Sequence, residues 1–257
     1  MLKNVSQTIS DIGVMSQRDI RRYFRLPQLL ITNIILNVVL LLLFNYVFGG
    51  AIQTGGVAYI QYFLPGFLVQ SVVFGSTQTS VGISEDLSKG LIDRFRSLPM
   101  ARSAFLSGRV VADTLRYLIL VALMIAVGYA AGFRFQGGFF PAFAGVWLII
   151  LFGIALTWVG VFIGISVKDA ETAQVAGFVW VFPLVFASSL YVPIETMPSW
   201  LQAFANINPV TPMVDTIRAL SWGTSISSSL WKILVWDLGI ILVCLPLALR
   251  RYRLLAQ

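Results

Sequence analysis

The sequence predicts an all-α integral membrane protein with six transmembrane helices and both termini in the cytoplasm. Composition is the first reason: 58% of the 257 residues are hydrophobic and 11% are charged, whereas soluble domains carry about 25% charged residues. The second reason is the recurrence of apolar segments long enough to cross a bilayer, and the third is the placement of Lys and Arg between them. The chain is therefore interpreted as a single transmembrane domain, 1–257.

The six spans follow from segment length. A transmembrane helix needs about 20 mostly apolar residues, because it rises about 1.5 Å per residue through a hydrocarbon core about 30 Å thick. Six segments satisfy this requirement: 28–48, 57–83, 105–132, 142–167, 172–192 and 230–249.

The orientation follows from the basic residues. If the N-terminus is cytoplasmic, fifteen of the 18 Lys and Arg residues lie on the cytoplasmic side. The other three are Arg134, Arg218 and Lys232. Because cytoplasmic loops carry the excess of basic residues, this bias predicts that both termini are inside. The pI of 9.9 then reflects membrane topology, and no nucleic-acid partner is expected.

The segment 1–27 precedes the first span and is predicted to form an amphipathic helix on the inner membrane surface. Its apolar residues recur at roughly helical spacing, and four arginines, at 18, 21, 22 and 25, lie among them. Arg side chains of this kind extend toward lipid phosphates while the apolar face enters the interface. The pattern fits either a topological anchor or a specific role in gating.

The most charged stretch, EDLSKGLIDRFRSLP at 85–99, lies between the second and third spans on the predicted cytoplasmic side. As a helix it aligns one apolar stripe, with Ser84 as N-cap and Pro99 at its end. Its acids and bases nearly cancel, whereas helices that lie on lipid are usually strongly basic, so a protein partner is favoured. The region 84–103 is assigned to this contact, through Glu85, Asp86, Leu87, Leu91, Asp93, Arg94, Phe95 and Leu98.

A charge cluster is predicted where the third span begins. Arg109, Asp113 and Arg116 stand at i, i+4 and i+7, on one face of a helix, so Asp113 can pair with either arginine. The cluster is interpreted either as a self-neutralised group that lets the helix enter the membrane or as a contact with a substrate.

The outer region 193–229 contains apolar pieces that are too short to cross the membrane. We expect two short helices that enter the outer leaflet and return, with a break in the chain between them and Thr211 as N-cap of the second. The residues assigned to this re-entrant hairpin are Pro198, Asn208, Pro209, Asp215 and Arg218. Asp237, in the sixth span, is an intramembrane acid with either a functional or a purely hydrated role.

Several kinds of site are excluded by composition. The chain has no His and one Cys, Cys244, so it cannot form a His-based triad or a Cys/His zinc site, and no metal site is expected. The phosphate-binding pattern GxxxxGK[ST] does not occur. ATP is therefore not bound here by a P-loop, and an ATP-driven activity requires a separate chain.

Two blocks resemble a known family. They are EDLSKGLIDRFRSLPMARSAFLSGRVVADTLR (85–116) and FPLVFASSLYVPIETMPSWLQAFANINPVTPMVDTIRAL (182–220). In order and spacing they are similar to permeases of type-2 ATP-binding cassette (ABC) exporters, in the daunorubicin-resistance branch. That family often has a Ser-Gly pair after the fifth span, where this chain has Ser188 and Ser189.

The resemblance implies a permease subunit that is not itself an enzyme. Two permease copies would pair with two copies of a cytoplasmic ATPase that holds ATP and Mg, and the helix from Glu85 to Leu98 would be the coupling helix that docks on it. The segment 1–27 and the hairpin before the sixth span have counterparts in the family. A second permease copy, identical or related, and membrane lipids are the other implied partners.

The predicted function is ATP-driven export of amphipathic drug-like or lipid molecules across a prokaryotic inner membrane. One alternative is a permease for lipid-linked polysaccharides. Another is a proton-coupled carrier that uses Asp113 or Asp237 as its relay. An intramembrane enzyme is disfavoured, because acids are not clustered beyond Glu85 and Asp86 and no His is present.

Overall fold

The computed structural model describes residues 5–25, 27–50, 56–90, 103–226 and 230–255, which are helical apart from short connections. Within these ranges it contains nine α-helices and no strand. They are α1 (Val5–Arg25), α2 (Pro27–Leu43), α3 (Tyr59–Ser88), α4 (Ala104–Ala130), α5 (Phe139–Ser166), α6 (Ala170–Phe186), α7 (Ser199–Ile207), α8 (Val210–Trp222) and α9 (Leu230–Leu255). A π-helical turn, Phe44–Phe48, continues α2, and a 3₁₀ turn, Ile194–Thr196, precedes α7.

Helices occupy most of each predicted span, and four are long and apolar enough to cross a membrane. These four are Ile31–Phe48 of α2 with its π-helical turn, α4, α5 and α9. Helix α6 is apolar but has 17 residues, and α3 has 30 residues but a more polar composition. The protein therefore passes through the membrane several times.

Helix α3 lies at the centre of the bundle and packs against α4, α5, α6 and α8. Its small and hydroxylated residues permit close approach of α5. A Cβ placed on Gly160 would lie 2.3 Å from the carbonyl oxygen of Ser76, and one on Gly164 would lie 2.6 Å from that of Ser80. The two glycines thus serve helix packing within one chain. The buried hydroxyls of Ser76 and Ser80 donate to carbonyls of their own helix, which satisfies them.

The predicted start of a new helix at Ser84 is wrong. Helix α3 continues through this residue, which is buried, and ends at Ser88. No proline or glycine lies between Ile83 and Lys89, and Gly90, whose φ is +68°, follows the end of the helix in a left-handed conformation. Glu85, Asp86 and Leu87 therefore belong to the last turns of α3. The other predicted contact residues, Leu91, Asp93, Arg94, Phe95 and Leu98, lie outside the described residues.

The region before α9 contains two short helices with a break between them, as the sequence predicts. Thr211 is not the N-cap, however, because α8 begins at Val210. Asn208 takes the capping role earlier in the chain, since its Oδ1 accepts a hydrogen bond from the Val210 N–H at 2.9 Å. Pro198 and Pro209 immediately precede α7 and α8, where a missing N–H costs nothing.

Candidate functional site

Helix α1 packs on α4, and this contact brings together the charged and polar residues that form the candidate site. Met15 and Asp19 of α1 are buried. Gly108 of α4 permits the approach, because a Cβ there would lie 2.5 Å from the Cβ of Met15. Another apolar face of α1, including Val14 and Phe24, stays exposed and is available to lipid.

Four residues tie α1 to the end of α3, and we call them the α1–α3 clamp: Arg18, Arg22, Glu85 and Asp86. The Arg22 guanidinium contacts Asp86 at 3.0 Å and Glu85 at 2.9 Å, and Arg18 contacts Asp86 at 3.1 Å. Burial opposes ionisation of Glu85, but hydrogen bonds from Lys89 and Arg22 leave its pKa below the usual value. Glu85 and Asp86, two of the three acids that the sequence assigns to a partner contact, are thus already engaged within the chain.

The clamp is expected to show measurable coupling in a double-mutant cycle. For Arg22→Ala and Asp86→Ala we expect a coupling free energy of about 1–2 kcal/mol, because Asp86 is almost fully buried while Arg22 stays partly hydrated. The measurement is the thermal unfolding, in detergent, of the wild type, the two single variants and the double variant. The control cycle uses Glu85 and Lys89, an exposed pair at 3.3 Å, for which we expect about 0.3–0.5 kcal/mol. Equal couplings in the two cycles would contradict the structural role of the clamp.

A buried polar cluster lies beside the clamp, and its centre is Asp113. We call it the Asp113 cluster; its members are Tyr23, Thr79, Arg109, Asp113 and Arg116. Asp113 accepts hydrogen bonds from the Tyr23 hydroxyl at 2.6 Å and from the Thr79 hydroxyl at 2.7 Å. It also pairs with Arg109 Nε at 3.3 Å and with Arg116 Nη2 at 3.2 Å.

The i, i+4, i+7 spacing of Arg109, Asp113 and Arg116 correctly predicted that they share one helical face. The sequence analysis did not identify Tyr23 and Thr79 as members. Thr79 lies in the middle of α3 without any distinguishing pattern. Tyr23 was included in the predicted amphipathic helix, yet nothing local shows that it reaches α4. Burial and the adjacent Asp113 raise the pKa of Tyr23, so its hydroxyl remains a donor at neutral pH.

The opposite end of the bundle is held by Arg218 of α8. Its Nε donates to the carbonyl of Tyr62 at 2.9 Å, and its terminal nitrogens donate to those of Ser189 and Leu190 at 2.7 Å each. Its guanidinium also lies over the Tyr62 ring, 3.6 Å from the centroid. The carboxylate of Asp215, three residues earlier in the same helix, is 3.6 Å from Arg218 Nη1. Arg218 therefore fastens α8 to the start of α3 and to the chain after α6.

Two further polar residues fix the same region. The Asn208 amide donates to the carbonyls of Leu184 and Ala187 at 2.6 and 2.8 Å. Ser189, at the second position of the Ser-Ser pair, donates to Asp215 at 2.7 Å. Asp237 is apart from these contacts, because within the described residues its buried Oδ1 has no hydrogen-bond partner.

An aromatic row runs along α6. The rings of Phe178 and Phe182 have centroids 5.5 Å apart, and those of Phe182 and Phe186 are 5.4 Å apart. Phe74 of α3 meets Phe182 edge-on at 5.6 Å. Phe182 and Phe186 are 45% and 51% exposed, so the row offers aromatic surface outside the core.

The arrangement of these helices can be compared with known proteins. The family model described as ABC-2 type transporter matches residues 10–222, which include the clamp, the Asp113 cluster and α8. The chain belongs to this family. A daunorubicin resistance ABC transporter permease protein, DrrB1 of Streptomyces coeruleorubidus, is 34% identical over 227 residues, 88% of this chain and 80% of the relative.

More distant relatives agree with this assignment. A probable doxorubicin resistance ABC transporter permease protein, DrrC of Mycobacterium tuberculosis, is 27% identical over 248 residues, 95% of this chain and 88% of the relative. A putative transport permease, ycf38 of Cyanophora paradoxa, is 26% identical over 238 residues, 90% of this chain and 82% of the relative. The protein is a multi-pass membrane permease subunit of an ABC transporter.

Proposed function

We propose that two copies of this permease and two copies of a cytoplasmic ATPase form an exporter of amphipathic drug-like or lipid molecules. The main observation in favour of amphipathic drug-like substrates is the aromatic row on α6. Exposed rings at stacking distances bind flat apolar molecules well, because they add aromatic contacts to the burial of apolar area. The drug resistance named for the relatives in Streptomyces and Mycobacterium supports the same class.

The proposed membrane arrangement has six spans, formed by α2, α3, α4, α5, α6 and α9, with both termini in the cytoplasm of a prokaryotic cell. The Lys and Arg distribution supports this orientation. Helices α7 and α8 would form a re-entrant hairpin in the outer leaflet. Backbone breaks at such a depth require burial in protein, and the contacts of Asn208 and Arg218 provide it.

Coupling to ATP hydrolysis is assigned to residues 85–98. ATP and Mg would reside on the partner ATPase, since this chain has no P-loop. Because α3 runs without a break to Ser88, a displacement of residues 91–98 would pass directly into α3. The α1–α3 clamp would make α1 follow the same motion, and the bundle would rearrange around a pathway between two permeases.

The experiment uses the permease co-purified with its partner ATPase in liposomes. For Leu91→Asp and Phe95→Asp we expect loss of doxorubicin export and of the complex, because a charge would replace an apolar docking contact. The control variant is Thr224→Asp, at an exposed position just after α8 and outside residues 85–98, which should keep both. Normal complex formation and export in the two Asp variants would contradict the coupling role.

The same liposomes distinguish the alternatives. Export that needs a proton gradient and proceeds without the ATPase would establish a proton-coupled carrier instead. The observation that favours testing it is the buried Oδ1 of Asp237, which has no hydrogen-bond partner in the part of the chain that the structure describes. Movement of a lipid-linked polysaccharide, without movement of doxorubicin, would replace the drug-like substrate class.

A further inference from the structure

Asp237 of α9 is a buried acid that takes no part in the contacts described above. The residue is 7% exposed, and its buried Oδ1 has no hydrogen-bond partner within the described ranges. Ile233, one turn earlier in α9, is fully buried in the core. The face of α9 that carries Asp237 therefore points into the bundle.

The helices packed against α9 present no cation to this carboxyl group. They are α5 and α8, and α5 contains no titratable residue. The charged residues of α8 are Asp215 and Arg218. Arg218 donates to three backbone carbonyls elsewhere, and Asp215 accepts from Ser189. Among the described residues, no charged side chain interacts electrostatically with Asp237.

The other titratable residues of α9 do not pair with Asp237 either. Lys232 is exposed and lies five residues earlier, about 140° around the helix. Cys244, two turns further on, is a free thiol and is uncharged at neutral pH. The arginines of α9 lie near Tyr252, which stacks on Phe105 of α4 about 22 Å further along the axis. Asp237 is thus isolated from positive charge.

An isolated carboxyl group in a membrane span avoids ionisation. Removing a carboxylate from water without a cation or a hydrogen-bond donor costs so much free energy that the group takes up a proton instead. Asp113 shows the contrast, because it is also buried but faces two arginines and two hydroxyl donors. Those partners allow Asp113 to stay ionised, and Asp237 has no equivalent among the described residues.

We propose that Asp237 is a proton-binding site, an uncharged carboxylic acid at neutral pH, and that a lipid-soluble carbodiimide modifies it selectively. Access is from the membrane, because the neighbouring Leu234 and Leu238 are 50% and 59% exposed. The site differs from a proton relay, which must release its proton during transport. It is also independent of the exported molecule and of the ATPase.

The modification needs the protonated form. The O–H group of the acid adds across one C=N bond of dicyclohexylcarbodiimide: the carboxyl oxygen bonds to the central carbon and the proton goes to nitrogen. The acyl group then moves from oxygen to the adjacent nitrogen and gives a stable N-acylurea. All atoms of both molecules are kept, and no further reactant is required. An ionised carboxylate must first acquire a proton, so exposed acids react slowly at neutral pH.

The test uses the full-length chain in detergent at neutral pH, with two readouts. The first is the infrared C=O stretching band of a protonated carboxylic acid, compared between the wild type, Asp237→Asn and Asp169→Asn. The second is peptide mass spectrometry after reaction with dicyclohexylcarbodiimide. Asp169 is the matched control, because it is an exposed acid that accepts from the Thr172 N–H.

We expect the wild type and Asp169→Asn to show the acid band and Asp237→Asn to lack it. The adduct on Asp237 should exceed that on Asp169 at least about tenfold, since almost no Asp169 is protonated. An acid band that persists in Asp237→Asn, or none in the wild type, would overturn the proton site. The band without an adduct on Asp237 would overturn the selective modification.

Thermal unfolding gives an independent measurement of the same proton. An unfolded Asp ionises above about pH 4, whereas folded Asp237 keeps its proton, so rising pH favours the unfolded wild type. Asp237→Asn cannot ionise. Its unfolding midpoint should therefore rise relative to the wild type by about 3–5 °C per pH unit between about pH 5 and 7. A difference between the two proteins that does not change with pH would contradict the proton site.

Discussion

Asp113→Asn is expected to lower the free energy of unfolding by about 3–5 kcal/mol, the cost typical of breaking a buried ion pair on one side. The carboxylate is fully buried and accepts from Tyr23, Thr79, Arg109 and Arg116. An amide of the same shape cannot neutralise either arginine, so two desolvated cations would face each other. Thermal unfolding in detergent should show a midpoint lower by roughly 10 °C.

The matched control is Asp169→Asn. Asp169 caps α6 by accepting from the Thr172 N–H at 2.7 Å, and this bond lowers its pKa. It is exposed, and Asn caps a helix about as well as Asp, so the midpoint should hardly change. A decrease for Asp113→Asn as small as that of the control would show that the cluster does not hold α1 to α4.

Arg218→Lys is expected to destabilise the protein by about 2–4 kcal/mol, even though the charge is kept. Its three side-chain nitrogens each donate a hydrogen bond to a different carbonyl group, those of Tyr62, Ser189 and Leu190. A lysine ammonium is one compact donor group and cannot reach all of them. Each buried carbonyl left without its donor costs about 1–3 kcal/mol. Losing these hydrogen bonds would release α8 from the start of α3. We therefore expect transport to decrease together with the free energy of unfolding.

The control for this prediction is Arg134→Lys, since Arg134 also donates to two carbonyls but is exposed. Water can replace its hydrogen bonds, so we expect a change within about 0.5 kcal/mol. The unfolding midpoint and transport activity are measured for both variants. If the two lysine variants change the unfolding midpoint and transport by similar amounts, Arg218 does not hold α8 to the start of α3.

Local patterns were reliable where a feature depends on neighbouring residues. Apolar length predicted where the long helices lie, and spacing by four and three placed Arg109 and Arg116 on either side of Asp113. Asn208 and Pro209 marked the break between α7 and α8. Each of these signals comes from a few adjacent turns, within which backbone geometry determines side-chain position.

Predictions failed where two local signals competed or where distant segments meet. Ser84 resembles an N-cap, but α3 continues through it because packing against neighbouring helices outweighs a weak capping preference. Thr211 was predicted as the cap of α8, but α8 begins one residue earlier and the Asn208 side chain accepts from the Val210 N–H instead. Glu85 and Asp86 seemed free for a partner, because their arginine partners lie 63 to 68 residues away in the sequence.

The sequence by itself determined that this protein is helical, lies in the membrane and carries its charges in a few clusters, because composition and periodicity are local properties. Only the tertiary structure decided that α1 is clamped to α3, that Tyr23 and Thr79 complete the Asp113 cluster, and that Arg109 and Arg116 line a cavity beside it. These facts depend on how each helix is rotated against its neighbours. That rotation results from packing and ion pairing across the whole bundle.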